Sequence, residues 1–194
     1  FQSDPVYAAM VETMDTSIGT VLETLESEGL ADDTIVIFTS DNDGLSTAEG
    51  APTCNFPCAE GKGWNYEGGT RVCQLMRWPG RIQPGSVSDE NVTSCDFFPT
   101  LLEACGLDPM PEQHADGLSL TPLFDGKASL DREAVFWHYP HYSNQGGAPA
   151  ASVVAGDWKL IEFFEDGHVE LYNLREDPSE VRNRADKFPD RVRT

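Results

Sequence analysis

Residues 34–44, with the sequence TIVIFTSDNDG, join a short apolar run to a cluster of oxygen-bearing side chains. The run at residues 35–38 is rich in β-branched residues, which is typical of a strand buried on both faces, as in a parallel sheet covered by helices. In open α/β sheets, ligands bind where the strands end. We therefore expect Asp41 and Asn42 to project into a functional site at the carboxyl end of a central strand.

The segments around this strand indicate the fold class. Residues 7–28 repeat apolar side chains at helical spacing, and Gly29 is a natural end for that helix. A helix, a short turn and a strand make half of an α/β unit. The predicted fold is therefore α/β, with the carboxyl-terminal part of a mostly parallel sheet flanked by helices.

Further elements are predicted after a loop at residues 43–70. Residues 72–78 indicate a second strand and residues 86–93 a further short one, since both contain β-branched or apolar runs next to turn residues. Residues 96–105 predict a helix with Asp96 as its N-cap and Gly106 as its stop. We expect residues 1–107 to form one catalytic α/β unit.

The remaining residues, 108–194, predict a carboxyl-terminal subdomain with a small antiparallel sheet and a partly helical tail. Strand-like segments at residues 134–139, 152–155, 158–164 and 169–172 follow a Pro-rich connector. Gly156-Asp157 and Asp166-Gly167 separate the last three segments and indicate hairpin turns.

The charge distribution singles out Lys62. The chain carries 13 basic and 33 acidic residues, a net charge of −20, which makes nucleic acid an unlikely partner because phosphates would be repelled. No Lys or Arg precedes Lys62, which lies between Gly61 and Gly63. A lysine with so little bulk around it can approach a bound anion closely; the alternative is an ordinary solvated lysine. Arg71 and Glu67 are expected to form a structural ion pair.

Asp41 and Asn42 are candidate metal ligands. A carboxylate and an amide oxygen are hard donors that suit one Ca²⁺, or else Mg²⁺, better than zinc or copper. An EF-hand does not fit, because Leu45 stands at the fifth position of the loop and Gly is not at the sixth. The simpler alternative is that residues 41–44 are only a turn after a strand. The further carboxylate of Asp43 could add a ligand or point to solvent, and we expect it to face solvent.

The cysteines leave two alternatives open. The chain contains five, an odd count that fixes no framework. Cys54 and Cys58 could pair in an oxidising compartment. A zinc site is the rival interpretation, although no second pair at ligand spacing supports it. No apolar run approaches the roughly 20 residues of a membrane span, and no targeting signal is visible at residues 1–5.

Seven motifs in order resemble the carboxyl-terminal part of a sulfatase of the arylsulfatase type, in the alkaline-phosphatase-like superfamily. They extend over nearly the whole chain: TSDN (39–42), GKG with YEGGTR (61–63, 66–71), RWPG (77–80), DFFPTLL (96–102), DGLSL (116–120), GDWKLI (156–161) and LYNLREDP (171–178).

The resemblance implies specific roles. Asp41 and Asn42 match a late pair of calcium ligands, and Lys62 matches the lysine that contacts the sulfate. The family's nucleophile is a formylglycine made within a C-x-P-x-R motif, which lies upstream of these motifs and is absent here. Residues 54–58 (CNFPC) do not fit that motif. The chain therefore resembles an incomplete sulfatase, and we expect these 194 residues alone to be inactive.

The resemblance also implies a sulfuric ester hydrolase acting on a sulfate-ester small molecule or a sulfated glycan, with an aryl sulfate as another substrate class. His141 lies in a stretch that would border the site and bind substrate; the alternative is a strand end with aromatic packing. A periplasmic or secreted location is implied in the same way. Alternatives are a phosphodiesterase or phosphonate hydrolase of the same superfamily, and an inactive truncated chain that binds nothing.

Overall fold

The computed structural model describes residues 4–48, 50, 52–127 and 129–193. The helices are α1 (Pro5–Ser27), α2 (Glu67–Thr70), α3 (Phe97–Ala104), α4 (Thr121–Phe124) and α5 (Pro189–Arg193), with short 3₁₀ turns at Ala31–Asp33, Ser94–Asp96 and Ala185–Lys187. The strands are β1 (Val36–Thr39), β2 (Gln74–Arg77), β3 (Val135–Tyr139), β4 (Ala150–Ala155), β5 (Trp158–Phe163) and β6 (Val169–Asn173).

Helix α1 confirms the first predicted element. The Asp4 carboxylate caps it by accepting from the backbone N–H groups of Val6 and Tyr7 at 2.9 and 3.0 Å. Gly29 follows the last turn with a φ of +68°, a conformation that a residue without Cβ adopts freely. None of the helix's residues is buried. Its apolar side chains, such as Val6 and Met10, are therefore largely uncovered.

The first sheet departs from the expected parallel arrangement. Strands β1 and β2 pair antiparallel, from Val36 opposite Arg77 to Thr39 opposite Gln74. Parallel neighbours require a crossover, usually through a helix of several turns, and the described residues between β1 and β2 form only the one-turn helix α2. The residues of β1 are half-buried or exposed, so the expectation of burial on both faces is wrong here.

Helix α3 lies where it was predicted, with Asp96 at its N-cap position, but two details nearby differ from the predictions. Residues 86–93 form no strand, since their backbone bonds to no neighbouring strand. Asp96 does not use its side chain to cap α3. Its fully buried carboxylate instead accepts from the backbone N–H of Thr93 at 2.7 Å and of Leu118 at 2.9 Å, and it forms an ion pair with Arg132. Asp96 thus joins the start of α3 to distant segments of the chain, through Leu118 and Arg132.

The second sheet confirms the prediction for the carboxyl-terminal half. Strands β3, β4, β5 and β6 are neighbours in that order, and every pair is antiparallel. The two predicted hairpin turns join β4 to β5 and β5 to β6. One face of this sheet carries a core of Ala150, Ile161, Phe163 and Tyr172. Tyr66, from the loop before β2, packs against that core, so the two halves of the chain are in contact.

Candidate anion and metal site

The two predicted metal ligands lie side by side directly after β1. Asp41 is exposed and Asn42 is half-buried. The Asn42 Nδ2 donates to Asp41 Oδ2 at 2.5 Å, and Ser40 Oγ donates to the carbonyl oxygen of Asn42 at 2.8 Å. The two side chains thus lie after the strand, where they were expected, and are hydrogen-bonded to each other; their role as metal ligands stays a prediction.

Asp43 differs from the expectation that it faces solvent. Its side chain is half-buried, and its Oδ1 accepts from the backbone N–H of Gly44 at 3.0 Å. Burial raises the pKa of the Asp43 carboxyl, and the hydrogen bond from Gly44 opposes that rise. The Asp43 side chain therefore packs within the loop and does not face solvent.

Asn55 holds this loop to the segment that carries Lys62. Its Oδ1 accepts from the backbone N–H of Gly44 at 3.1 Å, and its Nδ2 donates to the carbonyl oxygens of Gly44 and Glu60, each at 2.8 Å. The sequence analysis missed this role, because a single Asn among turn residues carries no periodic or spacing signal. Its place in the long Gly-rich loop was the only indication.

Lys62 is brought to the same loop by its backbone. Its N–H donates to the carbonyl oxygen of Gly44 at 3.1 Å. A Cβ at Gly61 would lie 2.4 Å from that same oxygen, so the close approach requires glycine. The Lys62 side chain is half-buried, and it forms no ion pair with any residue in the described part of the chain. An ammonium without a partner remains available to an anion.

A third segment, residues 143–147, comes from the second half of the chain and closes against the first two. Thr47 Oγ1 donates to the carbonyl oxygen of Gln145. A Cβ at Gly147 would lie 2.2 Å from the carbonyl oxygen of Gly63, so these backbones are in direct contact. His141 lies two residues before this segment and is exposed. Its ring packs edge-on against the ring of Tyr139, with 5.4 Å between the ring centroids. Its contacts fit both the border position and the aromatic-packing alternative.

Buried ionic contacts lie behind the site. The expected pair of Arg71 and Glu67 is present at 3.8 Å. The closer partner of Glu67 is the fully buried Lys159, whose Nζ lies 2.9 Å from Glu67 Oε1 and 3.2 Å from Glu180 Oε1. The sequence analysis missed Lys159 and Glu180, although a lysine in the apolar run of β5 is an indication of a buried charge.

Burial raises the pKa of Glu180 from 4.5 to about 7, and the nearby Glu67 carboxylate adds to that rise. The Lys159 ammonium and the backbone N–H of Glu67 oppose it. Two carboxylates therefore compete for one buried cation.

The donor set at Asp41 and Asn42 fits part of a calcium shell. Calcium takes 6–8 oxygen ligands, and these two side chains can provide a fraction of them. Among the described residues no group of three or more His, Cys, Asp or Glu is placed to hold a metal. Cys54 and Cys58 are free thiols, so the structure supports neither their pairing nor a zinc site.

The family models match most of this chain. The model described as Sulfatase matches residues 2–107, and that described as N-sulphoglucosamine sulphohydrolase, C-terminal, matches residues 60–190. A sulfatase of Formosa agariphila is 37% identical over 195 residues, covering 91% of this chain and 34% of that protein. Human arylsulfatase A is 36% identical over 154 residues, covering 79% of this chain and 29% of that protein. The chain thus spans about a third of the length of these relatives.

Solved structures agree with these matches. A protein in complex with its substrate D-glucosamine-2-N,6-O-disulfate is 28% identical with a TM-score of 0.81, covering 96% of this chain and 37% of that one. Phosphonate monoester hydrolase of Agrobacterium radiobacter is 28% identical with a TM-score of 0.71, covering 96% of this chain and 38% of that one. Within the described residues, every helix is too short or too polar to cross a membrane.

Proposed function

The chain belongs to the sulfatase family, and from this premise we propose that the complete protein hydrolyses sulfate esters. The observation that carries the proposal is the hydrogen bond of 3.1 Å from the Lys62 N–H to Gly44 O, which ties a lysine flanked by glycines to the loop of Asp41 and Asn42. One cation and two oxygen donors for a metal are thereby presented on adjacent loops. That combination suits a tetrahedral oxyanion.

Lys62 is proposed to bind the sulfate and to stabilise negative charge that develops on it or on the departing oxygen. Its side chain has no competing carboxylate among the described residues, so its charge is not already neutralised. Gly61 and Gly63 place no side chains beside it. Removal of one such electrostatic contact typically costs about 10²–10³ in rate.

Asp41 and Asn42 are proposed to hold one Ca²⁺, in preference to Mg²⁺, together with ligands from outside these residues. When bound, the ion supplies positive charge that polarises the sulfate group. Both side chains carry oxygen donors, and an amide oxygen in place of an imidazole favours calcium over zinc. The nucleophile, a formylglycine, is likewise proposed to come from outside this chain.

Asn42→Ala should lower the calcium content of the purified complete protein, because one oxygen ligand is removed. Metal content per molecule, measured by atomic emission after dialysis, checks this expectation. Asn91→Ala, at an exposed asparagine far along the chain, is the matched control. Equal calcium content in the wild type, Asn42→Ala and Asn91→Ala would contradict the ligand role and favour a turn residue.

The substrate is proposed to be a carbohydrate sulfate or an aryl sulfate. The relative in complex with D-glucosamine-2-N,6-O-disulfate supports the first class, and the likeness to arylsulfatase A supports the second. Residues 143–147 close against the loops of Thr47 and Gly63, so the exposed His141 nearby is proposed to contact the substrate's alcohol part. A periplasmic or secreted location is proposed on family analogy, and avoidance of nucleic acid remains a prediction from the net charge.

A second candidate function is phosphonate ester hydrolysis, which the likeness to the Agrobacterium radiobacter enzyme favours. Phosphonate and sulfate monoesters are both tetrahedral oxyanions, so Lys62 could serve either one. The two candidates differ in the substrate that is turned over faster.

The deciding experiment compares kcat/KM of the complete protein for a nitrophenyl sulfate and the matching phenylphosphonate ester. We expect the sulfate to be preferred and Lys62→Ala to lower kcat/KM by roughly two orders of magnitude. Lys127→Ala, at an exposed lysine, is the control and should leave kcat/KM unchanged. A near-wild-type value for Lys62→Ala would contradict the binding role, and preference for the phosphonate would favour the second candidate.

A further inference from the structure

Three consecutive residues, Asn65, Tyr66 and Glu67, are each bonded to a different strand of the four-stranded sheet. Asn65 Oδ1 accepts from Ser152 Oγ of β4 at 3.1 Å. Tyr66 OH donates to Glu170 Oε2 of β6 at 2.7 Å. Glu67 Oε1 accepts from Lys159 Nζ of β5 at 2.9 Å. We call residues 65–67 the anchored segment, because each of its three side chains is hydrogen-bonded to the four-stranded sheet.

The ion pair between the buried Lys159 and Glu67 is the strongest of these three contacts. The Lys159 ammonium donates hydrogen bonds to Glu67 Oε1 and Thr70 Oγ1 at 2.9 and 3.3 Å, and it forms an ion pair with Glu180 Oε1 at 3.2 Å. The other oxygen of Glu180 accepts from the backbone N–H of Glu67 at 2.6 Å. Strand β5 and the tail therefore bind the same residue of the anchored segment from two sides. Charge-assisted hydrogen bonds of this kind are stronger than neutral ones.

Gly68 and Gly69, directly after Glu67, connect the anchored segment to the Lys62 loop through close backbone contacts. A Cβ at Gly69 would lie 2.1 Å from Trp64 O and 2.6 Å from Gly61 O, and a Cβ at Gly68 would lie 2.2 Å from Ala59 O. These backbones are in contact with no side chain between them. A shift of the anchored segment must therefore move the residues on either side of Lys62.

We propose that Lys159 and Tyr66 are positioning residues, which hold the Lys62 loop against the loop of Asp41 and Asn42 by fixing residues 65–67 to the second sheet. The carboxyl-terminal sheet thereby positions the candidate site, and the expected kinetic effect rests on the proposed function. Neither residue touches the substrate in this account; each acts through the backbone of residues 59–69.

The first test is hydrogen exchange of residues 59–64 in the complete protein, which needs no activity. Tyr66→Phe removes one hydrogen bond and should speed exchange there by roughly fivefold. Tyr172→Phe is a matched control, because Tyr172 OH donates to the same Glu170 Oε2 at 2.9 Å but lies on β6 itself. Faster exchange only in Tyr66→Phe, with α3 unchanged, supports the proposal. Equal exchange in both variants overturns it.

The second test is kinetic. A displaced Lys62 should lower kcat/KM for a nitrophenyl sulfate, by about 10²-fold in Lys159→Met. Lys159→Arg keeps a buried cation and should recover most of that loss. Should Lys159→Met fail to fold, Tyr66→Phe decides instead.

A role in stability alone predicts lower melting temperatures with unchanged kcat/KM per folded molecule, and that result would overturn the proposal. If the wild-type protein turns over no sulfate ester, the proposed function fails while the exchange data still decide whether the sheet holds the Lys62 loop.

Discussion

At the residue scale, Lys159 shows how a folded protein accommodates a buried charge. The side chain is 0% exposed, and an isolated ammonium in such a place is strongly unfavourable. Its Nζ donates hydrogen bonds to Glu67 Oε1 and Thr70 Oγ1, and the Glu180 carboxylate lies 3.2 Å away as a second counter-charge. Burial of the Glu180 carboxyl, with a smaller contribution from the neighbouring Glu67 carboxylate, raises the pKa of Glu180 to about 7.

The titration of Glu180 predicts a pH dependence of stability. Because its pKa is about 7 when folded and near 4.5 when exposed, the folded chain binds more protons between those values. Its contribution to stability is therefore fully present below pH 4.5 and is lost as pH rises through 7, by about 3 kcal/mol in total. The free energy of unfolding, from urea titrations at pH 5 and pH 8, checks this.

Glu180→Gln should flatten that pH dependence, since an amide does not titrate. Glu176→Gln, in the same tail but at an exposed ion pair with Arg184, should retain the wild-type slope. Identical slopes in the two variants would show that Glu180 does not titrate in this range.

At the element scale, the second sheet was predictable and the first was not. Two-residue turns such as Gly156-Asp157 fix a local antiparallel pairing, because the strands they join are adjacent in sequence. The partner of β1 depends on a connection from Thr39 to Gln74, and no local pattern encodes its direction. The strand predicted at residues 86–93 does not form for a related reason: a strand needs a neighbour to pair with, and no local pattern shows whether one is present.

The one-turn helix α2 yields a prediction at this scale. Gly69→Ala should destabilise the protein by about 2 kcal/mol, because the new Cβ would overlap the carbonyl oxygens of Trp64 and Gly61. Gly19→Ala, in the middle of α1 with nothing within 4 Å, should stabilise by up to about 1 kcal/mol. Thermal unfolding of both variants measures the contrast. Equal effects would mean that the backbone around α2 can relax.

At the scale of the whole molecule, the described residues bring three distant parts of the chain together around the candidate site. The loop after β1, the Lys62 loop and residues 143–147 meet through contacts such as Thr47 to Gln145. The apolar face of α1 remains open, with Val6 69% and Met10 64% exposed. The chain therefore combines packed loops around the candidate site with a helix, α1, whose apolar side chains are exposed.

These 194 residues by themselves should not hydrolyse sulfate esters. They provide one cation at Lys62 and the two side chains proposed as metal ligands, Asp41 and Asn42, while the nucleophile is expected elsewhere. The measurement is the release of nitrophenol from a nitrophenyl sulfate by the purified chain, compared with its release in buffer alone. Turnover above the buffer rate that survives repurification would refute this prediction.

The sequence by itself determined most of the local elements and which residues form the candidate site, whose metal and anion chemistry stays a prediction. Periodicity, turn residues and caps are local, so α1, β1 and the hairpins of the second sheet could be predicted, as could the oxygen donors Asp41 and Asn42 beside a glycine-flanked Lys62. Only the tertiary structure decided which loops meet, that β2 runs antiparallel to β1, and that Lys159 and Glu180 bind Glu67. Those contacts join residues as many as 113 positions apart, and their energies depend on burial and direction, which no local pattern of residues records.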